Sequence, residues 1–222
     1  MKHTIEVSYT YYTTRFSISK VLATLEEVHT LSLDFETQAQ YSLEERAEAK
    51  LLVKKHQDEL SSKDLRLSKV VANCSGLSHP KIVKITHVIF GLSESEAIII
   101  IINDHKAQKQ VLEWIAEYKG KFLIHNSLFD LKLVHYHTGK LPKDVEDTQL
   151  AARCLINHTQ DWHCKTGLKH LMGGYYDPKW TLIDSYDIQD YKDEAFLRYC
   201  AIDGASTFKL WEQLQEHLKE DK

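Results

Sequence analysis

Four carboxylates and one tyrosine fall in three short, separated patterns. Asp34 and Glu36 stand in LSLDFETQ, Asp130 in FLIHNSLFDLKLV, and Tyr199 with Asp203 in LRYCAIDGAST. Each acid borders an apolar run of the kind that forms core. An unpaired charge in such a place is costly. Acids converging on one point repel one another unless cations lie between them. A site of carboxylate oxygens suits Mg²⁺ or Mn²⁺. Two such ions roughly 3.5–4 Å apart form an arrangement that cleaves phosphodiesters.

The spacing within each pattern fits that chemistry. Asp34 and Glu36 are two apart on a predicted strand, so both side chains leave one face while Leu33 and Phe35 turn into core. Asn126 stands four residues before Asp130 on a predicted helix, on the same face. It has the chemistry to hold a phosphate or to orient the carboxylate, and equally to cap the helix. Phe129 reads either as a base-stacking ring or as core. Tyr199 and Asp203 are also four apart on a helix, which puts the phenol beside the carboxylate. A free tyrosine titrates near 10, so the phenol is better suited to position water than to act as a strong base. Asp147, followed by Thr148, reads as a helix cap.

The elements that must position these residues follow in order. Ile5–Tyr12 reads as an edge strand, 19–27 as a helix, and Val28–Phe35 as the strand carrying the first pattern. Residues 42–71 are charged and mostly helical, opened by the capping box of Ser42 and Glu45. Ile82–Phe90 and Ile98–Ile102 read as strands joined by a polar turn. The five isoleucines of the second predict burial on both faces. Helices are expected over His105–Tyr118, Asn126–His137, Thr148–Leu155 and Gly167–Met172, and a long helix or a pair of helices over Asp193–Lys219, with a strand over Lys121–His125 and a loop over Tyr175–Tyr191. Strands alternating with helices predict one α/β layered domain.

Composition removes several alternatives. The chain has 222 residues, 43% hydrophobic and 27% charged, an ordinary globular balance. The longest purely apolar run, Ala97–Ile102, is too short to span a bilayer, and no signal-peptide core opens the sequence. The expectation is a soluble, cytoplasmic protein with no membrane partner. The four cysteines fall in no CxxC spacing and read as reduced thiols. His158, His163, Cys164 and His170 match no standard zinc spacing. No P-loop or GxSxG pattern occurs. A net charge of −4 argues against a non-specific DNA coat. It fits an acidic site that needs metal ions to meet a polyanion.

Together the DxE, N-x3-D and Y-x3-D patterns resemble the DEDDy 3′–5′ exonucleases, and in particular the proofreading domains of family A (polymerase I type) DNA polymerases. The resemblance runs from about Leu31 to about Leu214. In the DEDDh relatives a histidine lies five residues before the last acid; Arg198 occupies that position here, which supports the tyrosine subclass. The resemblance implies a ribonuclease H-like α/β fold: a central mixed sheet flanked by helices, with a charged helical insertion after the first motif strand. It further implies one exonuclease domain over 1–222, with an extension over 1–27 and the insertion over 42–72. Two Mg²⁺ or Mn²⁺ ions would be held by Asp34, Glu36, Asp130 and Asp203, with Tyr199 orienting the attacking water. Phe35 and Thr37 would flank the terminal nucleotide. The substrate would be the single-stranded or frayed 3′ end of DNA, and the products nucleoside 5′-monophosphates.

Two departures qualify the likeness. No polymerase segment follows residue 222, so the expectation is a separate gene product, as in phage-like replication systems, with a DNA polymerase as a separate partner. The 42–71 segment is longer than the usual connection. On it, Arg46, Lys50 and Lys54 recur at helical spacing as a basic stripe, read either as solvated cations or as contacts to strand phosphates. Leu43, Ala47 and Leu51 form a neighbouring apolar stripe. Two other readings stay open. DTQLAARCL followed by GLKHL also resembles ribonuclease D, an exoribonuclease. From a different class, the chain reads as a catalytically silent nucleic-acid-binding or polymerase-docking module.

Overall fold

The computed structural model describes residues 5–39, 44, 51, 54–55, 58–59, 83–157, 165–182 and 190–220. The chain divides into two compact units: Met1–Glu36 with Ile85–Lys222, and Thr37–Lys84.

The larger unit is built on a sheet. Its strands are β1 (Ser8–Tyr12), β2 (Thr30–Ala39), β3 (Val83–Gly91), β4 (Glu96–Ile101), β5 (Lys121–Ile124) and β6 (Asp144–Asp147). The order is β1-β4-β3-β2-β5-β6. β1 pairs with β4 in parallel, and β3 with β4 antiparallel. β5 is parallel to both β2 and β6. This is the mixed sheet expected of a ribonuclease H-like fold. The isoleucine strand behaves as read: Ile99, Ile100, Ile101 and Ile102 are all buried.

The helices are α1 (Arg15–Leu25), α2 (His105–Glu117), α3 (Ser127–Thr138), α4 (Thr148–Asn157), α5 (Leu168–Met172) and α6 (Glu194–Glu220). α1 starts earlier than its apolar spacing suggested, because Thr14 and Ser17 form a reciprocal capping box. α6 is one continuous helix that lays Leu197, Cys200, Ala201 and Ala205 against Ile89, Ile99 and Ile101 of the sheet. On the other side of the sheet, Phe90, Trp114, Tyr118 and Phe122 form a ring cluster with centroids 4.6–6.5 Å apart, in the offset and edge-on arrangements that aromatic pairs favour.

Close approach of α6 to the sheet depends on glycine. A Cβ at Gly204 would lie 2.8 Å from Ile89 Cγ2, and one at Gly91 2.6 Å from the Gly204 carbonyl oxygen. The gap is bridged by Ser32 Oγ, which donates to the Gly204 carbonyl at 2.7 Å and accepts from the Gly91 amide at 2.9 Å. Ser32 lies two residues before Asp34, and Gly204 follows Asp203 directly. The contact therefore sets the spacing of two of the predicted acids.

One strand was not read from the sequence, and two expectations need correction. DVED at 144–147 is a strand, paired to β5; its polar composition hides it from any hydrophobic pattern. β2 begins at Thr30 and runs to Ala39, past the predicted end. The predicted loop at 175–191 contains a 3₁₀ turn over Pro178–Leu182 that buries Trp180.

In the smaller unit, Thr37–Ala39 complete β2, and Glu44, Leu51, Lys54, Lys55, Asp58 and Glu59 are helical and exposed. Arg46, Lys50, Leu43 and Ala47, and so most of both stripes, lie outside the described residues, as do His158, His163 and Cys164.

Candidate active site

The pleat of β2 does what the two-residue spacing demands. Leu33 and Phe35 are buried at 1% and 3% exposure, while Asp34 and Glu36 share the opposite face and stay half-buried. α6 brings Asp203 onto that face. Each of Asp34, Glu36 and Asp203 offers a ligand oxygen, and these atoms lie within 4.8 Å of one another. Among the described residues this is the one such group of potential metal ligands. The donors are all carboxylate oxygens, the set favoured by a hard divalent cation such as Mg²⁺ or Mn²⁺.

Asp130 enters the site differently. It is buried on the first turn of α3, and its Oδ1 accepts from the Phe35 amide at 3.1 Å. It is thus tied to the backbone between Asp34 and Glu36 while standing outside the three-acid cluster.

Burial and mutual repulsion dominate the electrostatics of these acids. Burial, and then the charge of Asp203, push Asp34 up to about 7. Glu36 is raised well above its ordinary range by burial, Asp34 and Asp203. Asp130 is raised likewise by burial and Asp34. Burial carries Asp203 to about 6, with Lys169, Tyr199 and Trp180 restraining the rise.

Tyr199 is buried on α6, one turn before Asp203. Burial and the neighbouring acids drive its phenol far above its normal range, so it stays protonated. That suits a hydrogen-bonding role. Cys200 is pushed up by burial in the same way and remains a thiol.

Sequence reasoning missed two residues at this centre. Trp180 is 2% exposed and donates its indole N–H to Asp203 Oδ1 at 2.9 Å. Lys169, on α5, donates to the Tyr199 phenol oxygen at 2.7 Å, with its Nζ 4.1 Å from the ring centroid. Trp180 sits in a stretch without periodicity. Lys169 follows the GLKHL signal, but nothing local points it at Tyr199.

Asp147 is a cap, and for two helices. At the end of β6 it accepts from the amides of Gln149 (2.8 Å) and Leu150 (3.0 Å), which open α4. It also accepts from Ser127 N (2.8 Å), Ser127 Oγ (2.7 Å) and Asn126 N (3.3 Å), which open α3. Burial pushes this carboxyl up, but the hydrogen bonds from Leu150, Ser127 and Asn126 outweigh it and hold it below its ordinary range. Asn126 does not cap α3 with its side chain, against one of the two expectations. It stands at the N-cap position in the left-handed region (φ 64°, ψ 55°), exposed, a conformation asparagine tolerates better than most residues. Phe129 is half-buried with Lys132 Nζ 4.8 Å from its ring centroid. Thr37 continues β2 beyond Glu36, and His170 of the expected histidine group is exposed.

Comparison with known proteins bears on this geometry. No curated protein sequence matches the chain. Solved structures do. NrnC of Brucella melitensis, determined with bound Mg²⁺, aligns at a TM-score of 0.56 and 16% identity, covering 99% of this chain and 84% of NrnC. Escherichia coli RNase D, an exoribonuclease, aligns at 0.58 and 14% identity over 96% of this chain and 46% of its own. The Nibbler EXO domain of Aedes aegypti aligns at 0.61 and 9% identity, covering 99% and 94%. These likenesses speak for the fold. The family is carried by sequence: residues 81–219, a stretch holding Asp130, Tyr199 and Asp203, match the model for 3′–5′ exonucleases, and the chain belongs to that family.

Proposed function

We propose that the chain hydrolyses single-stranded nucleic acid from its 3′ end and releases nucleoside 5′-monophosphates. The observation that carries this reading is the convergence of Asp34, Glu36 and Asp203 within 4.8 Å, beside Tyr199 and next to Asp130. Asp34, Glu36 and Asp203 would hold the catalytic ion, and Asp34 with Asp130 would hold a second. When bound, the two ions lower the pKa of a water and stabilise the leaving 3′ oxygen. Tyr199 orients that water, and Trp180 keeps the Asp203 carboxylate turned toward the cluster. Asn126 and Phe129, with Thr37 of β2, are assigned to the terminal nucleotide; Phe35, expected there from the sequence, is buried at 3% exposure on the face opposite Asp34 and Glu36 and is not. A silent binding module is disfavoured, because clustered buried acids cost stability without serving a binding surface.

For the sugar, the HNSLFD pattern supports DNA, with a separate polymerase as the partner that accompanies this choice. A second reading, RNA, is favoured by the ribonuclease D-like GLKHL segment, whose Lys169 reaches Tyr199. The test uses 5′-labelled DNA and RNA oligonucleotides of one sequence, with Mg²⁺, Mn²⁺, Ca²⁺ or EDTA. Stepwise shortening from the 3′ end is expected with Mg²⁺ or Mn²⁺ and not with EDTA. Asp34→Ala and Asp203→Ala should abolish it in folded protein. Turnover near the wild-type rate by either variant, or degradation from 5′ ends, refutes the proposal.

A further inference from the structure

Lys169 has no part in the reaction as set out above, yet it is placed with care. α5 has five residues. Met172 is fully buried, and Leu168 and Leu171 pack against the same core as α6. The amides of His170 and Leu171 both donate to the Gly167 carbonyl at 3.0 Å. These contacts fix the side of α5 that carries Lys169. Its Nζ lies 2.7 Å from the Tyr199 oxygen, too close for packing alone.

The hydrogen-bond inventory of this pair is restrictive. An ammonium only donates, and a phenol has one proton and an oxygen that accepts. With Lys169 donating, the Tyr199 oxygen is an acceptor and its proton must point elsewhere. Asp203, four residues on along α6, offers an acceptor on the same helix face. One acceptor position on the phenol oxygen then remains, and a water beside the carboxylate cluster can donate to it.

We infer that Lys169 is a positioning residue for hydrolysis: it fixes the Tyr199 hydroxyl so that the phenol oxygen accepts a hydrogen bond from the attacking water. This rests on the exonuclease reading proposed above. Without Lys169 the hydroxyl can rotate, and both acceptor positions are open to solvent. The loss belongs to the chemical step and not to substrate binding, since the lysine acts through Tyr199.

A double-mutant cycle tests this, because a residue acting through another loses its effect when that other is removed. Lys169→Met, Lys169→Arg, Tyr199→Phe and the Lys169→Met/Tyr199→Phe double variant are compared by single-turnover shortening of a labelled oligonucleotide. Melting temperatures report on folding. Lys169→Met should slow the step by roughly 10- to 100-fold, at or below the range of a general acid–base contribution, with KM little changed. Lys169→Arg, still a donor, should recover part of the loss. In the Tyr199→Phe background Lys169→Met should change the rate by less than about 2-fold. An equal loss in both backgrounds, or a raised KM with unchanged kcat, overturns the inference in favour of a direct phosphate contact. A wild-type rate for Lys169→Met also overturns it. Inactive wild-type protein would instead refute the exonuclease reading itself, so the two failures are distinct.

Discussion

Removing one of the clustered acids should make the metal-free protein more stable. Asp203→Asn is the informative change. Its amide oxygen still accepts from Trp180 Nε1, now 2.9 Å from Asp203 Oδ1, so the packing is kept while one charge is lost. Asp203 is carried from an ordinary 3.8 to about 6. One pKa unit corresponds to about 1.4 kcal/mol, so ionising this carboxyl in the folded protein costs roughly 3 kcal/mol. Asp34, at about 7, has a larger cost, roughly 4 kcal/mol, part of which is repulsion from Asp203. These costs share one coupled interaction and cannot be added. Asp34 and Glu36 also keep an edge to solvent. A net gain of about 2 kcal/mol is therefore expected for Asp203→Asn at pH 8, or about 4–8 °C in Tm for a chain of this size.

The sign follows from proton counts. A carboxyl raised in the folded state binds more protons there than in the unfolded state between about pH 4 and 7. Stability of the metal-free wild type therefore falls as pH rises through that window. The advantage of Asp203→Asn should be small near pH 4 and full by pH 8. Mg²⁺ binds the folded state and should raise the wild-type Tm more than that of the variant. The assay is thermal unfolding in EDTA and in Mg²⁺ across the pH series. If Asp203→Asn melts at or below the wild-type temperature in EDTA at pH 8, or if its advantage persists unchanged at pH 4, the reasoning fails.

Two further changes probe the frame around the acids. Gly204→Ala places a Cβ 2.8 Å from Ile89 Cγ2; overpacking of about 1–3 kcal/mol, partly offset by about 1 kcal/mol of helix propensity, predicts a Tm drop of a few degrees, with a proportionally greater loss of activity as Asp203 shifts. Asp147→Ala strips the cap from both α3 and α4; at about 0.5–2 kcal/mol for each cap, urea unfolding should show a loss of about 1–4 kcal/mol, with Asp147→Asn between it and wild type.

Much of the site is legible in the sequence because its spacings are local geometry. Two residues on a strand, or four on a helix, decide which side chains share a face, and Asp34 with Glu36 and Tyr199 with Asp203 obey this. What local spacing cannot carry is a partner brought in by tertiary packing. Trp180 lies 23 residues before Asp203 and reaches it from a 3₁₀ turn. Lys169 lies on a short helix whose direction is set by Met172 in the core. β6 was hidden because DVED has no apolar alternation, and it is a strand through pairing with β5. Of the two readings of Asn126, the side-chain cap rests on asparagine's common habit, yet here Asp147 supplies the capping oxygen from another element. Composition alone marks the segment after β2 as charged and helical; its described residues are helical and exposed, while Arg46 and Lys50 lie outside them.

The same physics explains why the acids are distributed over three elements. Carboxylates that repel one another move apart unless the backbone beneath them is held, and each element here is held at the residue next to its acid. Phe35 N binds Asp130, so α3 cannot drift from β2 without breaking a buried hydrogen bond. Ser32 binds the Gly204 carbonyl, so α6 is pinned beside Asp34. Trp180 restrains Asp203 itself. The family match begins at residue 81 and leaves Asp34 and Glu36 outside it, but both contacts to β2 start from residues inside it, Asp130 and Gly204. The matched segment thus meets β2 at both of these contacts. That strand presents its two acids wherever Leu33 and Phe35 are buried, so the placement of the first motif follows from packing on the segment that defines the family.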